Sequence, residues 1–263
     1  RADLQQAMPP GAARNALDCA LWDLEAKHSG KSVYEKLGMP EPTWVPSVQT
    51  VSIGTPAEMA AEAATLASFP VIKIKLDAAH ILSRIEAVHA AVPDASLIID
   101  ANESWTLALL NEAAPKLEDL GVVMIEQPLE AGADDQLADY SGPVPLGADE
   151  SCHSSNDLAR LAPLYDFANI KLDKTGGLTE ALRMQALARE MGLGVMVGSM
   201  VSTSLALAPA VVLAVRADFV DLDSPNLLAN DRPYAMTLKD GRLSSINGSL
   251  WGGVLTGNFG NWR

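Results

Sequence analysis

Five charged clusters interrupt otherwise apolar runs in this chain: Lys73-Ile74-Lys75, Asp100-Ala101-Asn102, Glu126-Gln127-Pro128, Asp149-Glu150-Ser151 and Asn169-Ile170-Lys171. One carboxylate at the end of an apolar run reads as a helix cap or an ion-pair partner for the next loop. Three of them, Asp100, Glu126 and Asp149, at the ends of consecutive strands about 5 Å apart would project toward one centre and require a cation. With only oxygen donors and no Cys or His, the set suits Mg²⁺, which prefers six oxygen ligands and leaves positions for water or a substrate oxygen. Neutralisation by the lysines alone is the plainer reading. Lys75 and Lys171 are then candidates for an acid/base pair. A proton beside a carboxylate is too weakly acidic for a lysine acting alone, but a metal on that carboxylate stabilises the enediolate charge as it forms. If one lysine takes the proton and the other returns one to the opposite face, the carbon is inverted. Lys73 shares a strand face with Lys75 because side chains alternate with period two. Their repulsion, together with a metal, is expected to lower the amine pKa toward a useful base. Ordinary barrel-lining ion pairs are the alternative.

These residues need elements that hold them, and the chain supplies a rhythm of apolar run, turn, amphipathic helix and turn. The spacing predicts strands over 45–53, 71–76, 96–102, 122–128, 144–151, 167–173, 194–200 and 219–225. Most are continuously apolar, as strands buried on both faces are. Helical periodicity falls on 56–68, 81–92, 107–120, 133–140, 156–161, 178–191 and 205–217, after an opening helix over 11–27. Seven helices among eight strands predict an α/β fold, a (β/α)₇β TIM-like barrel. In that fold the C-terminal strand ends form the active face. Lys174 rivals Lys171 as the base, but it falls in the turn Lys174-Thr175-Gly176-Gly177, whereas Lys171 ends a strand.

Composition narrows the partners. With 263 residues and 48% hydrophobic content, the chain can bury one large core. A formal net charge of -14 repels phosphate backbones and anionic membranes, so neither nucleic acid nor membrane is expected as a partner. The two cysteines, Cys19 and Cys152, are too few for a disulfide framework, and no apolar run approaches a bilayer span. A cytoplasmic protein is expected. The oligomeric state is left open, a homo-oligomer included.

The ordered set Lys73-x-Lys75, Asp100-x-Asn102, Glu126-Gln127-Pro128, Asp149-Glu150 and Asn169-Ile170-Lys171 resembles the muconate-lactonising-enzyme subgroup of the enolase superfamily over nearly the whole chain. The resemblance implies Mg²⁺ at Asp100, Glu126 and Asp149, with Lys75 and Lys171 as the acid/base pair and Lys73 at the substrate carboxylate. Enolase-type sites with a Lys base and Mg²⁺ are a known pattern of pKa tuning. The subgroup holds cycloisomerases, o-succinylbenzoate synthases, N-acylamino acid racemases and dipeptide epimerases, so the shared machinery leaves the substrate open.

Asp221-Leu222-Asp223 at the eighth strand end resembles the pair with which dipeptide epimerases bind the free ammonium of a dipeptide. Capping of a loop by either Asp is the alternative. Thr50 and Ser199 resemble substrate contacts of those enzymes and read equally as polar residues satisfying loop amides. The implied activity is an isomerase's: epimerisation of a dipeptide, foremost the murein-derived L-Ala-D/L-Glu. A racemase of N-acylamino acids or a synthase on the same scaffold is the alternative. A Schiff-base lyase on Lys171 would leave the carboxylates unexplained, and a dead binding barrel would not explain why every acid and base is kept. The family's N-terminal α+β capping domain is expected to be largely missing. Residues 1–43 read as its remnant with the opening helix, 44–226 as the barrel, and 227–263 as a segment returning toward the cap, with a short hairpin turning at Asp240-Gly241. His28, His80, His89 and His153 are scattered, and Trp105 reads as packing.

Overall fold

Three helices lead the chain in the computed structural model, which describes residues 1–254: α1 (Ala2–Ala7), α2 (Ala12–Ser29) and α3 (Val33–Leu37). A strand β1 (Trp44–Pro46) follows, and the barrel then opens with β2 (Gln49–Val51) and α4 (Pro56–Ala64). The units β3 (Val71–Lys75) with α5 (Ile81–Ala91) and β4 (Ser96–Asp100) with α6 (Leu107–Asp119) come next. After β5 (Val122–Glu126) the connection is a 3₁₀ helix, Asp134–Asp139, and after β6 (Leu146–Ala148) it is the single turn α7 (Leu158–Leu161). β7 (Phe167–Lys171) is followed by α8 (Leu172–Thr175) and α9 (Leu178–Glu190), and β8 (Gly194–Gly198) by α10 (Ser204–Ala214). β9 (Phe219–Asp221) ends the barrel.

The eight strands β2 to β9 pair in parallel and in chain order, so the expected (β/α)₇β barrel is what forms. Between the first and last strands the seam is stitched by single bonds: Val48 N–H donates to Val220 O at 2.9 Å and Leu222 N–H to Ser47 Oγ at 3.0 Å. The outward strand residues Ile72, Ile74, Leu97, Ile99, Ile125, Val195 and Val197 are fully buried against the helix layer. Inside the barrel, Val48, Ile98, Met124 and Met196 form a separate apolar plug. Burial on both faces is why the strands lack alternation.

Register carries the charged residues into one layer above that plug. Lys75 pairs with Asp100, Asp100 with Glu126 and Glu126 with Gly147; across the barrel Lys171 pairs with Gly198 and Gly198 with Asp221. β3 and β7 have three strands between them in either direction, so Lys75 and Lys171 rise from opposite walls.

The structure departs from the expected elements in four places. The run 45–53 is two strands, broken at Ser47-Val48, and its first part leaves the barrel to pair with a C-terminal hairpin, β10 (Leu238–Lys239) and β11 (Arg242–Ser244). β1 is an edge strand, where Pro46 costs no ladder bond. The segment 133–140 coils as a 3₁₀ helix and 156–161 keeps only one helical turn. Lys174 lies in α8 rather than in a turn. The hairpin forms as expected, with Asp240 at φ 49 and Gly241 at φ 70, as a two-residue turn of this hand requires. Residues 255–263 of the expected C-terminal segment lie outside the described residues.

Candidate active site

Lys73 stands on the barrel's apolar plug with its ammonium among three carboxylates: Asp100 Oδ2 at 2.9 Å, Glu126 Oε2 at 2.7 Å and Asp221 Oδ2 at 2.8 Å. It is 2% exposed. Burial alone would lower its pKa, but Asp221, Glu126 and Asp100 outweigh that and raise it well above the usual lysine value. The expected lowering, which rested on Lys75 and a metal together, is opposed here by the three carboxylates that meet the Lys73 ammonium. Lys75, one rung higher and partly open to solvent, donates to Asp100 Oδ2 at 2.8 Å and Asn102 Oδ1 at 2.7 Å.

On the opposite wall Lys171 Nζ lies 2.5 Å from Asp149 Oδ2. Burial lowers its pKa, and the Asp149 and Glu126 charges more than restore it, so the net direction is up. Lys174 is spent on structure: its ammonium meets Asp149 Oδ1, the Asp149 carbonyl at 2.6 Å and the Asn169 carbonyl at 3.0 Å. Of the two rivals, Lys171 is the one with a single partner among the described residues. Asp149 is buried, which disfavours its charge, yet Lys174 and Lys171 hold its carboxyl well below the usual carboxylate range.

Asp221 and Asp223 are both buried at the last strand end. Asp221 is already shared with Lys73. Asp223 Oδ2 accepts from the Thr50 backbone N–H at 3.0 Å and from Gln49 Nε2 at 3.4 Å. Burial, and then the Asp221 charge, push the Asp223 carboxyl above its ordinary value. A cavity of about 1010 Å³ opens over all of this, and Thr50, Lys73, Lys75, Asp149, Lys171, Ser199, Asp221 and Asp223 line it. Asp100 and Glu126 are buried behind the lining, both against Lys73 and Asp100 also against Lys75. All ten sequence-predicted residues thus converge on one barrel mouth.

This architecture has known counterparts. A family model described as enolase C-terminal domain-like matches residues 57–245. The chain belongs to the enolase superfamily. A second model, the mandelate racemase/muconate lactonizing enzyme N-terminal domain, matches residues 2–38. Among relatives, the chain is 47% identical over 252 residues to an N-acetyl-D-glutamate racemase of Pseudoalteromonas sp., covering 96% of this chain and 80% of that protein. It is 48% identical over 245 residues to the L-Ala-D/L-Glu epimerase of Escherichia coli K12, covering 92% and 76%. A crystal structure of an enolase family member from Agrobacterium tumefaciens with homology to dipeptide epimerases, with bound sodium and L-Ala-L-Glu, superposes with a TM-score of 0.92 at 49% identity, over 95% of this chain and 77% of that one. A dipeptide epimerase from Enterococcus faecalis complexed with Mg and L-Leu-L-Tyr gives 0.85 at 28% identity, over 91% and 71%.

Asp100, Glu126 and Asp149 offer only oxygen donors, the chemistry that suits a hard cation. Among the described residues no three His, Cys, Asp or Glu side chains are drawn into a ready metal cluster. Lys73 bridges Asp100 and Glu126, while Lys171 and Lys174 hold Asp149. Yet the fully buried Glu126 Oε2 lacks a hydrogen bond of good geometry despite the nearby ammonium. Glu126 is also poorly compensated: burial pushes its carboxyl to about 8, with Lys73 pulling the other way. A buried anion so placed, with oxygen-only neighbours on adjacent strands, fits Mg²⁺.

Sequence reasoning missed several residues that shape this superfamily site. Gln127, at φ 36, accepts from the Asp149 and Ser151 backbone N–H groups at 3.0 and 3.1 Å and donates to Tyr165 Oη at 3.1 Å, fixing the chain that carries Asp149. A positive φ in a non-glycine residue beside a site is strain that the surrounding bonds must hold. Asn169 donates to Glu126 Oε1 at 2.6 Å. Both belong to the quoted motifs, so the signal was present without a role attached. His153 stands at the cavity rim, its Nε2 2.8 Å from the Glu150 carbonyl. Cys152 is buried, and burial pushes its thiol up to about 12, which leaves it inert.

Proposed function

We propose that this protein is a Mg²⁺-dependent dipeptide epimerase with L-Ala-D/L-Glu as its foremost substrate, and that Lys75 and Lys171 are its two bases. The carrying observation is that these two lysines line one cavity from opposite walls, with Asp149 lining it too and Asp100 and Glu126 buried on the strands between them. Asp100, Glu126 and Asp149 would hold Mg²⁺, which supplies positive charge for the substrate carboxylate and so makes the adjacent α-proton acidic. The neutral amine of one lysine takes that proton, and the ammonium of the other gives one to the opposite face. The reverse reaction exchanges their roles. Lys73 assists at the substrate carboxylate from the cavity floor, where its ammonium also offsets part of the buried negative charge, and Asn169 orients Glu126.

Asp221 and Asp223 give the reading its dipeptide specificity, because a buried pair with a carboxylate to spare would bind a free ammonium. Thr50 and Ser199 complete the walls beside them. The 47% identity to an N-acetyl-D-glutamate racemase supports a second reading, in which the substrate's nitrogen is acylated and carries no charge. Within the proposal, residues 1–43 are the part of the capping region carried by this chain, supported by the match at 2–38. A cytoplasmic location is supported by the two free cysteines; among the described residues no helix is long and apolar enough to cross a membrane.

The test is exchange of the α-proton in D₂O, followed by NMR, with L-Ala-L-Glu and N-acetyl-glutamate side by side. The dipeptide is expected to exchange faster, and EDTA to stop both. Faster exchange of the acetylated compound would favour the racemase, and exchange undiminished by EDTA would remove the metal from the mechanism.

A further inference from the structure

Helix α2 lies outside the barrel, yet successive turns of it grip the short segment that follows Lys171. Arg14 is buried, and its guanidinium donates to Thr175 O at 2.6 Å and Gly176 O at 3.1 Å. It also donates to Met8 O at 3.0 Å and Gln5 O at 3.3 Å, which ties the same guanidinium to α1 and the connection after it. Asn15 Nδ2 donates to Asp173 Oδ1 at 3.0 Å. Asp18 Oδ2 accepts from Thr179 N–H at 2.8 Å, and Trp22 Nε1 donates to Thr179 Oγ1 at 3.0 Å. The fit leaves no slack: a Cβ on Gly176 would stand 2.5 Å from Arg14 Nε, and one on Gly177 2.5 Å from Asp18 Cβ.

What this grip holds is α8, a single helical turn of four residues that begins immediately after Lys171 and contains Lys174. So short a helix has no orientation of its own, because nucleating one turn is unfavourable and its last carbonyls have no internal partners. Arg14 supplies a partner to the last of them, Thr175 O, and to Gly176 O just beyond it. Among the described residues no carboxylate pairs with the Arg14 guanidinium, so this buried cation is compensated by carbonyl oxygens alone, two of them at the end of α8. A lysine in its place could reach one carbonyl but could not fork across two.

We infer that Arg14 and Asn15 are positioning residues for Lys171: they fix α8 from outside the barrel and thereby set where one of the two opposed amines meets the substrate. The inference rests on the two-base reading above. Its signature is one-sided, because Lys75 is carried by β3 across the barrel, whereas α2 packs on α8 and α9.

The experiment uses the full chain at saturating Mg²⁺, so that any change in metal affinity through Asp149 is removed. Deuterium exchange at the α-carbon is measured from L-Ala-L-Glu and from L-Ala-D-Glu, with kcat and KM for each. Lys171→Ala and Lys75→Ala first identify which epimer each lysine deprotonates. Asn15→Asp and Arg14→Lys are each expected to slow exchange of the Lys171 epimer by about tenfold to a hundredfold through kcat, and that of the Lys75 epimer by no more than about twofold. The double variant Asn15→Asp with Asp173→Asn restores the bond with donor and acceptor exchanged and should recover exchange to within about threefold. Equal slowing of both epimers, no slowing of either, or failure of the double variant to recover would overturn the positioning role. Absence of any epimer preference in Lys75→Ala and Lys171→Ala would overturn the two-base reading itself, and the inference with it.

Discussion

A Cβ placed on Gly198 would stand 3.1 Å from Cε of Lys171, its register partner on the neighbouring strand, and 2.8 Å from Oδ1 of Asn169. Glycine is needed there because two working side chains pass over it. Gly198→Ala would push the Asn169 amide off Glu126 and crowd Lys171. We expect kcat to fall by at least about tenfold, while the melting temperature drops by no more than about 5 °C. Steady-state kinetics alongside calorimetry checks this, and wild-type kcat would show that the close approach has no catalytic consequence.

Asp149→Asn keeps the shape of the side chain and removes one anion of the three proposed for Mg²⁺. The fold should persist, since Lys171 and Lys174 lose only a charge partner on the cavity wall. Calorimetric titration is expected to show Mg²⁺ affinity weakened by at least about tenfold, with epimerisation abolished. Full turnover at ordinary Mg²⁺ concentrations would remove Asp149 from the metal site.

Asp223→Asn separates a charged substrate amine from an acylated one. Charge-assisted bonds to an ammonium are worth roughly 1.5 to 3 kcal/mol, so kcat/KM for L-Ala-L-Glu should fall by at least about tenfold. An N-acetylated analogue has no ammonium to lose and should be turned over about as well by the variant as by the parent. Equal losses on both substrates would mean that Asp223 serves only the Thr50 backbone.

Asp134 links folding to pH. It is fully buried, which disfavours its charge, but Ser151 Oγ and Tyr165 Oη donate to Oδ1, each at 2.6 Å, and Arg160 reaches Oδ2 at 2.7 Å. Together they hold its carboxyl below the usual aspartate value. A depressed folded-state pKa contributes stability that is complete above the unfolded value, near 4, and is lost as pH falls through the folded one. Asp134→Asn should therefore cost about 2 kcal/mol at pH 7, and its melting-temperature gap from the parent should narrow as pH falls from about 4 toward 2. A gap that stays constant over this range would contradict the assignment.

The barrel was legible because its strands are buried on both faces and so stand out as unbroken apolar runs such as Leu97–Ile99. A lysine inside such a run, as at Lys73, demanded an explanation, which is why the candidate site was readable too. The short elements were harder. Ser32 and Glu35 form a capping box and Gly38 closes α3 at φ 62, a local signal that was present but went unread for so brief a helix. The break at Ser47-Val48 answers to a hairpin almost two hundred residues away, and no local pattern announces it. The carboxylates that raise the Lys73 pKa were harder to read than its near neighbour Lys75, since the third of them, Asp221, comes from the last barrel strand, 148 residues further along the chain. Gln127 escaped for the same reason, since its role depends on Tyr165 and on backbone it meets only in the fold.

The seam between the first and last strands has a further implication. No ladder joins β2 to β9; the stitches are single bonds, and one of them runs from Thr50 N–H to the Asp223 side chain. The wall that faces a ligand is therefore also a fastener of the cylinder. A guest that engages the remaining oxygen of Asp223 pins that fastener shut, so the amide hydrogens of Val48 and Thr50 should exchange with solvent more slowly when the cavity is filled. Occupancy and mechanical closure of the barrel are in this way two readings of one carboxylate.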